Sequence, residues 1–179
     1  MRVHYISPYD SKNKNIGGAI NSAIQQLNPD PKDWIVHIDQ DAFWLLPDSK
    51  KQLEEILSTT NYDLLGPVTN RLAQRYQLAY GYFDQFDIRE HVKYAKRLQE
   101  DNYSVIQSTP NILAAFCLCF RVSVWEKIKF IENSLQFDSQ FSITAKKMGF
   151  KSGILLGIYV YHNYRILSDN PTQDISHLI

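Results

Sequence analysis

Two carboxylates separated by one residue stand at the end of an apolar segment. Asp39 and Asp41 follow the segment from Trp34 to Ile38, which has the composition of a buried β-strand. In an extended chain, residues i and i+2 point to the same side, so both carboxylates can face one ligand. A hard divalent cation such as Mg2+ or Mn2+ would relieve their repulsion and leave coordination sites for phosphate oxygens. The pair predicts metal-assisted chemistry on a phosphate-bearing molecule, although aspartates are also common in polar turns after strands.

Strand-like and helix-like patterns alternate along the chain, which predicts an α/β fold with a mostly parallel central sheet and flanking helices. The predicted strands are Val3 to Ser7, Trp34 to Ile38, Tyr62 to Val68, Ile112 to Phe120 and Ile154 to Tyr161. Helices are predicted to begin near Gly17, Pro47, Asp87, Ser123 and Gln140, and a long irregular loop is expected from Thr69 to Phe86. Ligands bind outside the carboxyl ends of strands in such sheets, which favours a functional role for Asp39 and Asp41.

The composition narrows the class of protein. A chain of 179 residues, 44% of them hydrophobic, predicts one globular domain over residues 1–179. No apolar segment is long enough for a transmembrane helix, and the N-terminus lacks the pattern of a signal peptide, so we expect a soluble, cytoplasmic protein. The balance of 19 basic and 19 acidic residues gives no electrostatic signature of nucleic-acid binding. Cys117 and Cys119 are predicted to be buried as small apolar residues.

Several short motifs occur together in a recognisable order. The chain has Lys14-Asn15-Ile16-Gly17 before a helix with Asn21, then Asp33-Trp34, the Asp39 and Asp41 pair, and Pro47-Asp48. This order resembles the nucleotide-binding half of small GT-A glycosyltransferases similar to family 2. Further segments resemble a compact bacterial and phage branch of these enzymes: Thr69-Asn70-Arg71, Asp87 to His91, Phe137-Asp138 with Gly149, Gly157 to His162 with Tyr164-Arg165, and Ser176-His177-Leu178. The resemblance covers nearly the whole chain and implies a GT-A fold.

The resemblance implies a metal site with unequal ligands. Asp41 would be the primary ligand, and Asp39 would contact the metal or the nucleotide ribose. A histidine after the last core strand completes the site in many such enzymes, and His162 occupies that position. An imidazole beside carboxylates suits Mn2+ better than Mg2+, because imidazole is the softer ligand. His177 is a competing ligand in the C-terminal tail, where a solvated histidine is the simpler explanation.

The resemblance also implies a general base. Asp138 lies at the start of a predicted helix, where an acidic residue in inverting enzymes removes the proton of the acceptor hydroxyl. An aspartate at a helix N-terminus is equally explained as a cap. Family members often carry adjacent acids at this point, whereas Phe137 and Ser139 flank Asp138 here.

Five residues are candidates for donor binding. Asn15, Gly17 and Gly18 lie at the start of a helix, where free N–H groups can bind phosphate, although the glycines are also explained by a tight turn. Arg71 could bind the diphosphate or the acceptor, or be a surface residue, and Asp10 could contact the base.

The expected function is therefore transfer of a sugar from a nucleoside diphosphate sugar, UDP-linked in preference to GDP-linked, to a hydroxyl of a glycan, lipid or protein acceptor. The expected cofactor is Mn2+ or Mg2+, and the expected outcome is inversion. Two alternatives remain: a non-catalytic protein of the same fold that binds nucleotide sugars, and a nucleotidyltransferase. The second normally has a glycine-rich basic loop near its first strand, which is not evident in this sequence.

Overall fold

The computed structural model describes residues 1–10 and 12–163, which form a seven-stranded sheet with five helices. The strands are β1 Val3–Ile6, β2 Trp34–Ile38, β3 Ala42–Trp44, β4 Leu64–Thr69, β5 Ile106–Ser108, β6 Cys117–Arg121 and β7 Ser152–His162. The helices are α1 Ile16–Leu27, α2 Ser49–Thr59, α3 Ile88–Asn102, α4 Val122–Ile128 and α5 Phe137–Lys147. A single 3-10 turn, Arg75–Gln77, interrupts the loop between β4 and α3. The α/β class predicted from the alternating patterns is confirmed.

The sheet is mixed, so the prediction of a mostly parallel sheet was wrong. The strand order is β1-β2-β6-β4-β7-β3, with β5 also paired to β7. In the described part of the chain, β1 with β2 and β4 with β7 are parallel, and the other four pairings are antiparallel. The main cause is β6, which lies antiparallel between β2 and β4. Strand direction depends on the long-range pairing, which local hydrophobic patterns do not encode.

Four strands nevertheless point the same way. Since β6 is antiparallel to both of its neighbours, β2 and β4 share one direction, and β1 and β7 are parallel to them. The carboxyl ends of these four strands therefore meet at one edge of the sheet. Asp39 follows β2, Asn70 follows β4, and His162 ends β7, so the topology brings all three to that edge.

Both faces of the sheet are buried. Successive residues of β2 alternate between two apolar clusters: Ile35 packs with Ile20 and Ile24 of α1, whereas Val36 packs with Leu53 of α2. Cys117 and Cys119 are buried and not disulfide-bonded, as the sequence predicted. Burial is also the main cause that raises the pKa of the Cys117 thiol, which keeps this side chain neutral. No helix in the described ranges is long and apolar enough to cross a bilayer.

Several element boundaries differ from the sequence predictions. The apolar segment from Ile112 to Phe116 is not a strand, because the N–H groups of Ala114 and Ala115 bond to side chains of Gln77 and Asp138. Helix α5 begins at Phe137 rather than Gln140, which places Asp138 inside its first turn. The capping box predicted at Ser123 is absent, since α4 begins at Val122 without a side-chain cap. The Asp87 cap of α3 is confirmed by its bond to the N–H of Arg89.

Candidate metal centre

Three side chains converge at the carboxyl edge of the sheet. Ligand atoms of Asp39, Asp41 and His162 all lie within 4.8 Å of one another. The His162 Nε2 atom is 3.4 Å from Asp41 Oδ1, with the histidine side chain 5% exposed and the aspartate 50% exposed. The group is thus closed on the protein side and open to solvent on the other. The sequence predicted this convergence of residues that are distant along the chain.

The two aspartates lie in a tight turn rather than in the extended segment that the sequence predicted. The N–H of Ala42 donates to the carbonyl of Asp39 at 3.1 Å, which closes a four-residue turn between β2 and β3. The turn still leaves both carboxylates within reach of one ligand. The common orientation therefore comes from turn geometry and not from the alternation of a β-strand.

The short strand β3 fixes Asp41 beside His162. Ala42 pairs directly with His162 in the antiparallel β3–β7 ladder. The N–H of Asn163 donates to the carbonyl of Asp41 at 2.9 Å, so backbone bonds hold the segment next to the contact between Asp41 and His162. This ladder therefore fixes the position of the aspartate pair relative to the end of β7.

The ring of His162 is oriented by the segment after β4. Its Nδ1 atom lies 2.9 Å from the carbonyl of Arg71, and a carbonyl can only accept a hydrogen bond. Nδ1 therefore carries the proton, and in the neutral ring the lone pair is on Nε2, which faces Asp41. Asn70 holds the backbone of the same residue: it donates to the His162 carbonyl at 3.2 Å and accepts from the His162 N–H at 2.8 Å.

Asp39 is oriented by two neighbours. The buried ring of His37 donates from Nε2 to Asp39 Oδ1 at 3.1 Å, because an ionised carboxylate only accepts. The N–H of Asp39 donates to the carbonyl of Phe116 at 2.8 Å, and the Phe116 ring stacks on His162 with centroids 5.2 Å apart. The sequence analysis did not assign these roles. The i, i+2 spacing of His37 and Asp39 was a signal for the first, whereas nothing local indicated Phe116.

The electrostatics favour an ionised Asp41. A hydrogen bond from His162, which requires a proton on Nε2 as well as on Nδ1, lowers the pKa of the Asp41 carboxyl, and the burial of that carboxyl opposes the effect. A lone pair on Nε2 facing a carboxylate at 3.4 Å is repulsive unless a proton or a cation lies between them. The donor set is two carboxylates and one imidazole, and its spread matches a single cation at bond lengths of about 2.0 to 2.6 Å. The residues present are thus chemically compatible with a divalent cation, and the cation itself stays a prediction.

Asp138 is linked to this centre through residues 115 and 116. Its Oδ2 atom accepts from the N–H of Ala115 at 3.3 Å, and the following residue, Phe116, contacts both Asp39 and His162. Its Oδ1 atom accepts from the N–H of Ser139 at 2.6 Å. Burial raises the pKa of the Asp138 carboxyl, while these bonds act in the opposite direction. Asp138 is not the N-cap of α5, which is Gln136.

The predicted donor contacts at the start of α1 cap the helix or allow it to pack closely. The Asn15 side chain caps the helix by accepting from the N–H of Gly18 at 3.0 Å, and it also accepts from the N–H of Asn133 at 2.8 Å. Gly17 lies so close to the carbonyl of Ile131 that a Cβ atom would collide with it, and a Cβ on Gly18 would meet Asn15. Close packing thus explains both glycines.

Asp10 and Arg71, the two other predicted donor contacts, also interact with groups of the protein itself. Asp10 accepts from the N–H groups of Lys12 and Asn13, and the Asn13 bond is the main cause that lowers its pKa. Arg71 is 2% exposed, not a surface residue, and its guanidinium lies over the rings of Phe83 and Phe86. The contribution of Arg71 to the centre, as described above, is its backbone carbonyl. His177 lies outside the described residues.

The sequence matches no known protein-family model, and no curated protein matches it significantly. Support for a function therefore comes from the site itself.

Proposed function

We propose that the protein is a metal-dependent glycosyltransferase of the GT-A type, which moves a sugar from a nucleoside diphosphate sugar, preferably UDP-linked, to an acceptor hydroxyl. The observation that carries the proposal is the convergence of Asp39, Asp41 and His162 at the carboxyl edge of the sheet. An open cluster of two carboxylates and one imidazole suits a cation that also binds a diphosphate.

Each residue of the cluster has a distinct task in this proposal. Asp41 and the Nε2 atom of His162 bind the cation, and Asp39, held by His37, binds the cation or a ribose hydroxyl. When bound, the cation would neutralise the charge that develops on the departing diphosphate. The half-exposed carboxylate of Asp41 leaves the solvent side of the cluster open to the donor.

Asp138 is the general base of the proposed reaction. It accepts the proton of the acceptor hydroxyl while that oxygen bonds to the anomeric carbon and the bond from this carbon to the diphosphate breaks. Attack from the side opposite the diphosphate inverts the configuration. The raised pKa of this carboxyl supports the role, because a base is most effective when its pKa approaches the working pH.

Substitution of Asp41 by Asn tests the proposal. Wild-type protein should be stabilised against heat by UDP with Mn2+, and should hydrolyse or transfer a UDP-sugar only when the metal is present. We expect Asp41→Asn to lose both properties, because an amide is a poorer ligand for a hard cation than a carboxylate. Asp101→Asn is the matched control, since this residue is exposed on α3 and outside the cluster.

Three outcomes separate the candidate functions. Turnover in chelator at the rate seen with Mn2+ would overturn the metal assignment. Metal-dependent binding of UDP without hydrolysis or transfer to any acceptor would favour the non-catalytic binding protein. Release of pyrophosphate from a nucleoside triphosphate and a sugar phosphate would identify a nucleotidyltransferase instead.

A further inference from the structure

A groove of about 680 Å3 runs beside α5. Its lining includes Gln74 and Tyr76 from the loop between β4 and α3, and Ile143, Lys146 and Lys147 from the last turns of α5. Residues 110–112 and Ser142 complete the lining. The groove contains no residue of the metal cluster.

Helix α5 connects the groove with the proposed general base. Three side chains on one face of α5, at positions 138, 142 and 146, bond to the backbone of the segment from Pro110 to Ala115. Asp138 accepts from Ala115, the Ser142 hydroxyl bonds to both backbone groups of Leu113, and Lys146 donates to the carbonyl of Pro110 at 3.1 Å. At a rise of about 1.5 Å per residue, Lys146 lies about 12 Å along the helix axis from Asp138.

The groove lining is mainly apolar, with Pro110, Ile112 and Ile143, and it also contains aromatic, amide and cationic side chains. Tyr76 is 60% exposed and offers a flat aromatic surface, while Asn111 and Gln74 offer amides. The Gln74 Oε1 atom is buried and has no hydrogen-bond partner among the described residues. Lys146 and Lys147, in the last turn of α5, add positive charge, and no acidic residue lines this groove in the described part of the chain. Aromatic, amide and cationic groups together suit a polyhydroxylated molecule that carries negative charge.

We infer that this groove binds the acceptor of the proposed transferase and that the acceptor is an anionic oligosaccharide. In this inference the saccharide extends beyond the groove, past Ser142, so that its reacting hydroxyl meets Asp138, which does not itself line the groove. A carboxylate or phosphate further along the saccharide lies at Lys146 and Lys147. The distance along α5 requires an extended molecule of more than one sugar unit. The inference rests on the proposed function, because only a transferase gives the groove an acceptor to bind.

Direct binding measurements test the groove without requiring turnover. Trigalacturonic acid, its methyl ester, and a neutral trisaccharide bearing one terminal phosphate are titrated into the full chain and followed by calorimetry or ligand-observed NMR. The ester has the same skeleton as the acid without its charge. We expect at least one charged trisaccharide to bind more tightly than the ester, with an affinity that falls as salt is raised. The charged trisaccharide that binds shows whether the groove takes a carboxylate or a phosphate.

Charge variants locate the binding. Lys147→Ala should weaken binding of the charged trisaccharide by about 2- to 5-fold, as expected for one exposed ion pair, and Lys147→Glu should weaken it further. Tyr76→Ala should weaken binding of charged and neutral saccharides alike. Lys96→Glu is the matched control, because Lys96 is exposed on α3 and does not line the groove. Equal melting temperatures would show that the variants are folded.

The inference is overturned if neither charged trisaccharide binds at millimolar concentration, if the ester binds as tightly as the acid, or if Lys147→Glu behaves like Lys96→Glu. Binding of UDP with Mn2+ is measured on the same samples. Charge-dependent saccharide binding without nucleotide binding would overturn the proposed function and leave only a saccharide site. Nucleotide binding with no charge-dependent saccharide binding would overturn the groove assignment alone.

Discussion

At the scale of single residues, the chemistry of His162 depends on Asn70. This amide is fully buried and bonds to both backbone groups of His162, which fixes the strand terminus that carries the ring. The neighbouring Arg71 carbonyl then sets the tautomer that presents Nε2 to Asp41. Groups that orient a ligand in this way have a strong effect on metal affinity, because an imidazole that can rotate loses affinity for its cation.

We therefore predict that Asn70→Ala weakens Mn2+ binding by about 10- to 100-fold, the usual effect of removing a group that orients a ligand. It should also lower the free energy of unfolding by about 1–3 kcal/mol, because two backbone groups lose their partner. Calorimetric titration with Mn2+ and urea unfolding measure the two effects. Asn61→Ala, at an exposed position, is the control. Unchanged Mn2+ affinity in folded Asn70→Ala would contradict this account of the site.

The raised pKa of the Asp138 carboxyl predicts that the free energy of unfolding depends on pH. Its pKa in the folded protein is raised by burial, so the folded state holds the proton to higher pH than the unfolded state does. Its contribution to stability is therefore present below the unfolded pKa and is lost as pH rises through the folded pKa. The free energy of unfolding of the wild type, minus that of Asp138→Asn, should decrease as pH is raised, which urea titrations at several pH values can measure.

The same ionisation should govern the proposed reaction. A general base acts only when deprotonated, so the transfer rate at saturating substrate should rise with pH through a pKa above the ordinary value for aspartate. Asp138→Asn should lose transfer and retain Mn2+-dependent binding of UDP. Transfer by Asp138→Asn at the wild-type rate would exclude Asp138 as the base.

At the scale of elements, the packing of α1 is decided by Gly17. This residue lies in the first turn of the helix, and its backbone touches the carbonyl of Ile131. An alanine normally favours a helix by about 1 kcal/mol over glycine. Here the added methyl group has no room, so the usual gain should be reversed.

We predict that Gly17→Ala lowers the free energy of unfolding by about 1–3 kcal/mol, the usual cost of overpacking. Ser22→Ala, at an exposed position of the same helix, should be close to neutral. Thermal and urea unfolding measure both. If Gly17→Ala is as stable as the wild type but loses binding of UDP, the glycine serves the donor and the packing explanation is wrong.

The elements differ in how far the sequence could predict them. Strand β2 carries a continuous apolar segment, and α3 an apolar stripe with an Asp87 cap, so local patterns were sufficient for both. Strands β3 and β5 have three residues each, too few for any periodicity to be seen. The segment from Ile112 to Phe116 was misassigned because its backbone partners, Gln77 and Asp138, lie far away in sequence.

At the scale of the whole molecule, the site depends on strand direction. The sequence predicted Asp39 and His162 at strand ends, and the shared direction of β2 and β7 makes those ends meet. The reversed direction of β6 between β2 and β4 could not be predicted, yet the segment just before this strand supplies Phe116 and Ala115, which connect Asp39, His162 and Asp138. The candidate ligands were thus predictable from the Asp39 and Asp41 spacing and from the family resemblance, whereas the residues that orient them depend on the tertiary fold.

A cation in this site would join two distant parts of the chain, so its effect should be global. At a Mn2+ concentration of 100 times the dissociation constant, binding to the folded state adds about 2.7 kcal/mol to the free energy of unfolding. For a protein of this size we expect a rise of roughly 5–10 °C in melting temperature.

Hydrogen exchange should slow in both the Asp39–Ala42 turn and the end of β7 when Mn2+ binds, since the ladder between Ala42 and His162 connects them. His162→Ala should abolish protection of both segments, whereas Asp101→Asn should keep it. Protection confined to the turn would show that the aspartates bind Mn2+ without His162.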